Sequence, residues 1–354
     1  MRFRICFAAL LLALCLCVTG CSAQGTAAQK FSATFYDAFD TVITVMAYTD
    51  SQADFDRLFD TAKEEFLRYH RIYDGYNAYE GVDNLYAVNL SAGQGPAPAD
   101  PALIELLLYM KELQPALQGR VNVAMGAVLR LWHEYREEGA AVPDPEELRA
   151  LAAHCDFDDV IIDEKLGTVY YADPGLSVDL GAVAKGYTVE KVARTLREAG
   201  FSSFIINAGG NVRCVGKPLD GRDRWGVGIQ DPEQALLGLS TLKDVAYLTD
   251  LSVVTSGDYQ RYYTVDGVRY HHIIDPDTLY PSSFMPQVTV VTEDSGYADA
   301  LSTALFLMPY AQGRAFADGL DGVEACWVLA DGSVHFTDGL ASALQSQGAS
   351  STDR

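Results

Sequence analysis

The sequence predicts an α+β fold, and three observations carry that reading. Strand-like runs crowd the middle and end of the chain, helical runs are interspersed without the regular alternation of a doubly wound parallel sheet, and Asp266-Gly267 and Asp331-Gly332 each carry a two-residue hairpin signal. In chain order, TVITVMAY (41–48) alternates like a half-buried strand. Asp50 or Ser51 then caps a helix with Phe55, Leu58, Phe59, Ala62, Phe66 and Tyr69 on one stripe, an ordinary amphipathic scaffold. A loop rich in Gly, Pro and Ala (91–101) precedes the helix PALIELLLYMKEL, and PDPEELRALAAH (143–154) reads as another with Pro near its first turn. Strands are expected at DVIID, TVYYA, SFIIN, WGVGIQ and QVTVVTE. The polar end QSQGASSTDR predicts a disordered tail over 341–354.

The first residues, MRFR, an apolar run from Ile5 to Val18 and then Thr19-Gly20-Cys21, have the charged, apolar and small-residue regions of a secretory signal spanning 1–20. Cys21 directly after Thr-Gly resembles a bacterial lipobox, where the cysteine is acylated, palmitate being a typical chain, and becomes the new N-terminus; ordinary cleavage nearby is the other reading. Lipidation would place the protein at the cell membrane, anchored on its extracytoplasmic face, with 21–30 as a polar tether. Of seven cysteines, four belong to this segment; Cys155, Cys214 and Cys326 stand isolated, which suits neither a zinc site nor a disulfide framework and leaves a single pairing open. The formal charge of −22 becomes −24 once Arg2 and Arg4 leave with the signal. So acidic a chain has no nucleic acid as partner. It suits a solvated surface, or an enzyme that gathers a divalent cation.

Four stretches could carry chemistry, and each has a plain structural reading beside the functional one. In VDLGAVAKGYTVEKVARTLREAG (178–200) a short strand, a glycine turn and a helix with Val189, Val192, Ala193 and Leu196 on one face put Lys185 and free N–H groups at a helix N-terminus, which favours phosphate. It is no Walker loop, because Lys185 precedes Gly186 and a tyrosine follows; a turn with an exposed lysine accounts for it equally. INAGGNVRCVG offers Gly209 and Gly210 for positive φ or close ligand approach, or simply for a turn. In VVTSGDYQRYYTVDGVRYHHIIDPDTLYP, Asp275-Pro276 and Tyr280-Pro281 stiffen the backbone after a strand in which His271 and His272 face opposite sides, so at most one enters a given pocket. SGYADALSTALFLM (295–308) puts Asp299 and Thr303 at i and i+4 on one helix face, oxygen ligands of the kind Mg²⁺ accepts, or else an ordinary surface helix.

Taken in succession, VDLGAVAKGYTVEKVA, NAGGNV, TSGDYQRYY, HHIIDPDT and ADALSTAL resemble the ApbE-like family of FAD:protein FMN transferases. FDTVITVMAY is similar to that family's opening strand and VNVAMGAVLRLW to its flavin-side segment, so the likeness spans nearly all of 31–340. The resemblance implies an ApbE/T-fold-like architecture of mostly antiparallel sheets with packed helices. It implies Mg²⁺-dependent transfer of FMN from FAD, as substrate, to a Ser or Thr hydroxyl of an acceptor protein, with release of AMP. Acceptors of the family are subunits of membrane redox pumps, of the sodium-translocating NADH:quinone reductase or Rnf type, or secreted flavin-carrying reductases.

By the same resemblance Asp299 and Thr303 bind Mg²⁺ through their side chains and Ala182 through its carbonyl. Phe39, Met125, Gly126, Asp179, Lys185, Gly209, Gly210 and Ile273 lie against the FAD, His272 is the candidate base, and Asp275 orients it. The sequence departs from the family at Phe39 (methionine is usual), Asn122 and Ala124 (Asp and Thr), Asn211 (an acidic residue) and Leu279 (glycine), which puts flavin packing in question more than the metal ligands. Two other readings stay open here: water as acceptor, making an FAD pyrophosphatase that yields FMN and AMP, and a flavin-binding lipoprotein without catalysis.

Overall fold

The computed structural model describes residues 28–352; the signal, Cys21 and most of the tether lie outside the described residues. The first half runs β1 (Gln29–Phe35), β2 (Ile43–Thr49), α1 (Gln52–Tyr73), α2 (Leu85–Leu90), β3 (Ala97–Pro98), α3 (Pro101–Ala116), α4 (Gly126–Glu138), α5 (Pro145–Ala152), β4 (Val160–Asp163), β5 (Thr168–Tyr171) and α6 (Ala184–Glu198). Strands dominate next: β6 (Phe204–Ala208), β7 (Asn211–Val215), β8 (Trp225–Gln230), α7 (Pro232–Leu236), β9 (Leu242–Leu248), β10 (Ser252–Gly257), β11 (Tyr262–Val265) and β12 (Val268–His271). The chain closes with β13 (Gln287–Thr292), α8 (Ser295–Phe306), α9 (Tyr310–Ala317), β14 (Glu324–Val328), β15 (Val334–Phe336) and α10 (Asp338–Ala341).

The α+β expectation holds. One eight-stranded sheet, ordered β1-β2-β6-β7-β10-β13-β14-β15, is antiparallel at every pairing, and hairpins β8-β9 and β11-β12 and the small sheet β3-β5-β4 stand outside it. Alternation along each strand assigns the two faces of the large sheet. Ile43, Val45 and Ala47 meet Phe55, Leu58, Ala62 and Phe66 of α1 and Val189, Val192 and Leu196 of α6, the stripes expected of both helices. Each fully buried side chain such as Phe66 contributes about 1.5–3 kcal/mol. Farther along the same face Val254, Val288, Val290 and Trp327 pack with Leu301, Leu305 and Phe306 of α8. The opposite face, with Cys214, Val253, Val291 and Cys326, lies under Trp225, Val227, Ile229, Ala246 and Leu344.

Local chemistry explains the element ends. Ser51, not Asp50, caps α1, its Oγ accepting from Asp54 N; Asp144 caps α5 with Pro145 as first helical residue. Asp266-Gly267 makes the expected two-residue β11-β12 turn, Val265 pairing with Val268, whereas the turn at Asp331-Gly332 is longer, closed by Leu329 N–H donating to Ser333 O. As far as residue 352 the tail is ordered, not disordered: Leu344 is buried and bridges to Ala246, and Ser351 O accepts from Asp223 N and Arg224 N. One apolar anchor and backbone bonds to a distant loop suffice, and neither leaves a compositional mark. Cys155, Cys214 and Cys326 are free thiols, and burial pushes those of Cys214 and Cys326 up to about 12.

Candidate active site

Helices α6 and α8 touch where a side chain is absent. A Cβ on Gly186 would fall 2.5 Å from Asp299 Cβ, so only glycine admits this contact. Gly186 N–H donates to Asp299 Oδ2 at 2.8 Å, setting the carboxylate at the N-terminal turn of α6, where the helix dipole favours an anion. Burial raises the Asp299 pKa, opposed by the Lys185 ammonium, the Gly186 N–H and the Asn211 side chain. One turn along, Thr303 Oγ1 donates to Asp299 O at 3.3 Å. A buried ion pair holds the helices in place: Glu190 Oε2 takes Arg213 Nε at 3.0 Å and Ser295 N at 3.2 Å, joining α6, β7 and the start of α8.

Asp299, Thr303 and Ala182 line one cavity of about 750 Å³, together with Lys185 and His272. Among the described residues no group of three or more His, Cys, Asp or Glu could hold a metal. The oxygen set present, one carboxylate with a hydroxyl and a carbonyl, still fits a hard cation that keeps water and substrate phosphate as further ligands. Lys185 Nζ donates to Asn211 Oδ1 at 3.1 Å; burial lowers its pKa, with Asp299 opposing and Arg261 adding.

His271 and His272 do face opposite ways. His271 is buried, its Nε2–H donating to Ser282 O at 2.6 Å with Phe306 edge-on. His272 enters the cavity. Its Nδ1–H donates to Arg261 O at 3.3 Å, which leaves the Nε2 lone pair free. Burial first, then the Arg261, His271 and Arg136 charges, push its pKa down to about 3; that one hydrogen bond cannot offset them. The ring is therefore neutral at pH 7.

The remaining expected residues divide. Phe39, Met125, Asp179, Gly209 and Ile273 line the same cavity. Phe39 and Asp40 hold left-handed φ values of 55° and 47°, tied by Phe39 N–H to His70 Nδ1 and by Arg261 Nη2 to Asp40 O at 3.2 Å. Asp179 Oδ2 accepts from Tyr76 OH at 3.1 Å. Gly126, Gly210 and Asp275 lie outside this lining. Gly126, the first residue of α4, lets the helix start approach Ser177, whose carbonyl accepts its N–H at 2.8 Å. Gly210 completes the Ala208–Asn211 hairpin turn with Gly209, both at positive φ. Asp275 does not orient His272: its Oδ1 accepts from Asp277 N at 2.8 Å and its backbone closes the turn with Leu279 and Tyr280. Leu279 adopts φ 62°, the conformation that explains why glycine is usual there.

Arg261, Arg136 and Arg120 also reach the cavity, and sequence reasoning passed over all three. Arg261 sits inside TSGDYQRYY, and the usable signal was a basic residue within a motif of so acidic a chain.

A sequence model described as the ApbE family matches residues 39–327. An FAD:protein FMN transferase of Treponema pallidum is 35% identical over 269 residues, 72% of this chain and 73% of that one. Another, of Klebsiella pneumoniae, is 34% identical over 245 residues, 68% and 73% of the two chains. The crystal structure of the ApbE protein of Thermotoga maritima, 28% identical, superposes with a TM-score of 0.76 over 88% of this chain and 98% of that one. The apo flavinyl transferase ApbE of Pseudomonas stutzeri, 25% identical, gives 0.74 over 91% and 98%.

Proposed function

The chain belongs to the ApbE family, and from that premise we propose that it is an FAD:protein FMN transferase that uses Mg²⁺, modifies a Ser or Thr hydroxyl of an acceptor protein and releases AMP. The observation that carries this reading is the single cavity shared by Asp299, Thr303, Ala182, Lys185 and a neutral His272. The reading without catalysis gives way to an enzyme, since the relatives are named as transferases.

The acceptor oxygen attacks the flavin-side phosphorus of FAD. The bond from that phosphorus to the bridging oxygen breaks, and the bridging oxygen leaves with AMP. His272 Nε2 receives the hydroxyl proton as the new P–O bond forms. Lys185, with Arg261 beyond it, offsets the charge that gathers on the pyrophosphate. Asp299, Thr303 and the Ala182 carbonyl would hold Mg²⁺, which when bound neutralises and aligns the pyrophosphate. The reading is tested by mass spectrometry of a threonine-containing acceptor peptide after incubation with FAD and Mg²⁺, where covalent FMN on the peptide is the expected product.

Protein lacking residues 1–21 should bind FAD more tightly than FMN or riboflavin, because Lys185 acts on the pyrophosphate; equal calorimetric affinity for riboflavin would sink that assignment. The lipid anchor on the extracytoplasmic face is likewise a proposal, resting on Cys21 after Thr19-Gly20. Cys21→Ala should move the protein from the membrane to the soluble fraction with activity intact. A variant still pelleting with membranes would show that another anchor exists. A membrane redox pump subunit or a secreted flavin reductase is the acceptor class that fits this location.

A further inference from the structure

Asn211, the first residue of β7, is fully buried beside Lys185 and Asp299. Its Oδ1 takes the Lys185 ammonium at 3.1 Å. Its amide nitrogen, buried and without a fully formed hydrogen bond, sits against the Asp299 side chain, 3.1 Å from where a Gly186 Cβ would stand. A buried donor left unmet is a cost that a ligand oxygen removes.

The charges around this amide are few. Among the described residues Lys185 is the charged side chain that acts on Asp299, and Lys185 in turn feels Asp299 and Arg261. The carboxylate is thus offset by an ammonium, and among the described residues no second carboxylate acts on it. A free divalent cation meets little net negative charge, and affinity at hard-cation sites follows the ligand charge count. A pyrophosphate changes this, because it supplies both negative charge and oxygens.

We infer that Asn211 makes Mg²⁺ binding at Asp299 conditional on the FAD pyrophosphate, by keeping an amide where a carboxylate would let the cation bind alone. The inference rests on the function proposed above. Linkage makes it reciprocal: FAD tightens Mg²⁺ by the factor by which Mg²⁺ tightens FAD.

Calorimetric Mg²⁺ titrations of protein lacking residues 1–21, in a His272→Ala background that slows turnover, test it with and without saturating FAD. Without FAD, Mg²⁺ should bind about tenfold or more weakly than with it, within the usual range of coupled sites. Asn211→Asp should bind Mg²⁺ without FAD about tenfold more tightly than the parent, and FAD should then add little. Equal Mg²⁺ affinity in the two parent titrations overturns the inference and leaves the transferase reading standing, and this comparison needs no Asn211 variant to fold. A folded Asn211→Asp protein, checked by its thermal melt, with unchanged Mg²⁺ affinity also overturns it. If FAD itself fails to bind, the transferase reading is what fails.

Discussion

Asp299→Ala is expected to lower flavinylation of a threonine acceptor by about 10³-fold or more, since several kcal/mol of charge stabilisation depend on the single carboxylate assigned to the metal. Added Mg²⁺ should restore only part of the rate. The substitution also leaves the buried Gly186 N–H without its acceptor, a loss of about 1–3 kcal/mol in folding stability. Asp299→Asn separates the two effects: its side-chain oxygen can still accept from Gly186, so the melt should recover while transfer does not. Thr303→Ala, which removes a neutral ligand, should be milder and more readily restored by Mg²⁺. Normal flavinylation by Asp299→Ala without Mg²⁺ would end the metal mechanism. Free FMN as the only product of wild type with every acceptor tried would put FAD hydrolysis in place of transfer.

His272→Ala should slow transfer by roughly 10²- to 10⁴-fold while sparing FAD and Mg²⁺ binding, the loss expected of a general base. Its pKa of about 3 keeps Nε2 unprotonated down to strongly acidic pH. The acid limb of kcat/KM should therefore lie well below the ordinary histidine value of about 6.5, and a limb near 6.5 would argue against His272 as the base. Folding stability responds in the same direction. The unfolded chain takes up a proton at His272 near 6.5 and the folded chain does not, so the contribution is full above that value and is lost as pH falls toward 3. His271, depressed to about 4 by burial, adds to the same window. Urea denaturation across that range checks the slope.

Much of this was legible because local rules and the fold agree. The stripe of α1 needed only Phe55, Leu58, Ala62 and Phe66 at helical spacing, and Asp299 and Thr303 needed only the i, i+4 rule to be placed on one face. What escaped depends on contacts far apart in the chain. Nothing near Gly126 indicates that its missing side chain serves Ser177, and Gly186 reads as a helix glycine until Asp299 arrives from 113 residues away. Asp275 looked like a partner for His272 because it is close in sequence; the Pro276 turn directs it to its own backbone instead. Arg261 was hidden for another reason, since a single arginine has no periodicity, and its role comes from where the loop after β10 folds back over Phe39 and Asp40. The order of the eight strands, with β10 inserted between β7 and β13, is likewise set by packing rather than by neighbours in sequence.

The ordered tail changes how the molecule must be assembled. Ala28 and Leu344 both pack into the layer beneath the β8-β9 hairpin, so that layer joins the two extremities of the described chain. The Ala246–Leu344 bridge and the bonds of Ser351 to Asp223 and Arg224 each close a loop of about a hundred residues or more, whose entropy is spent before they return anything. As the polypeptide emerges N-terminus first, α1 and the β1-β2 hairpin can form early. The outer sheet face with Cys214 and Cys326, already under Trp225, Val227 and Ile229, receives Leu340 and Leu344 only when residues 338–351 arrive. A chaperone or protease meeting the nascent protein would find that face last to close.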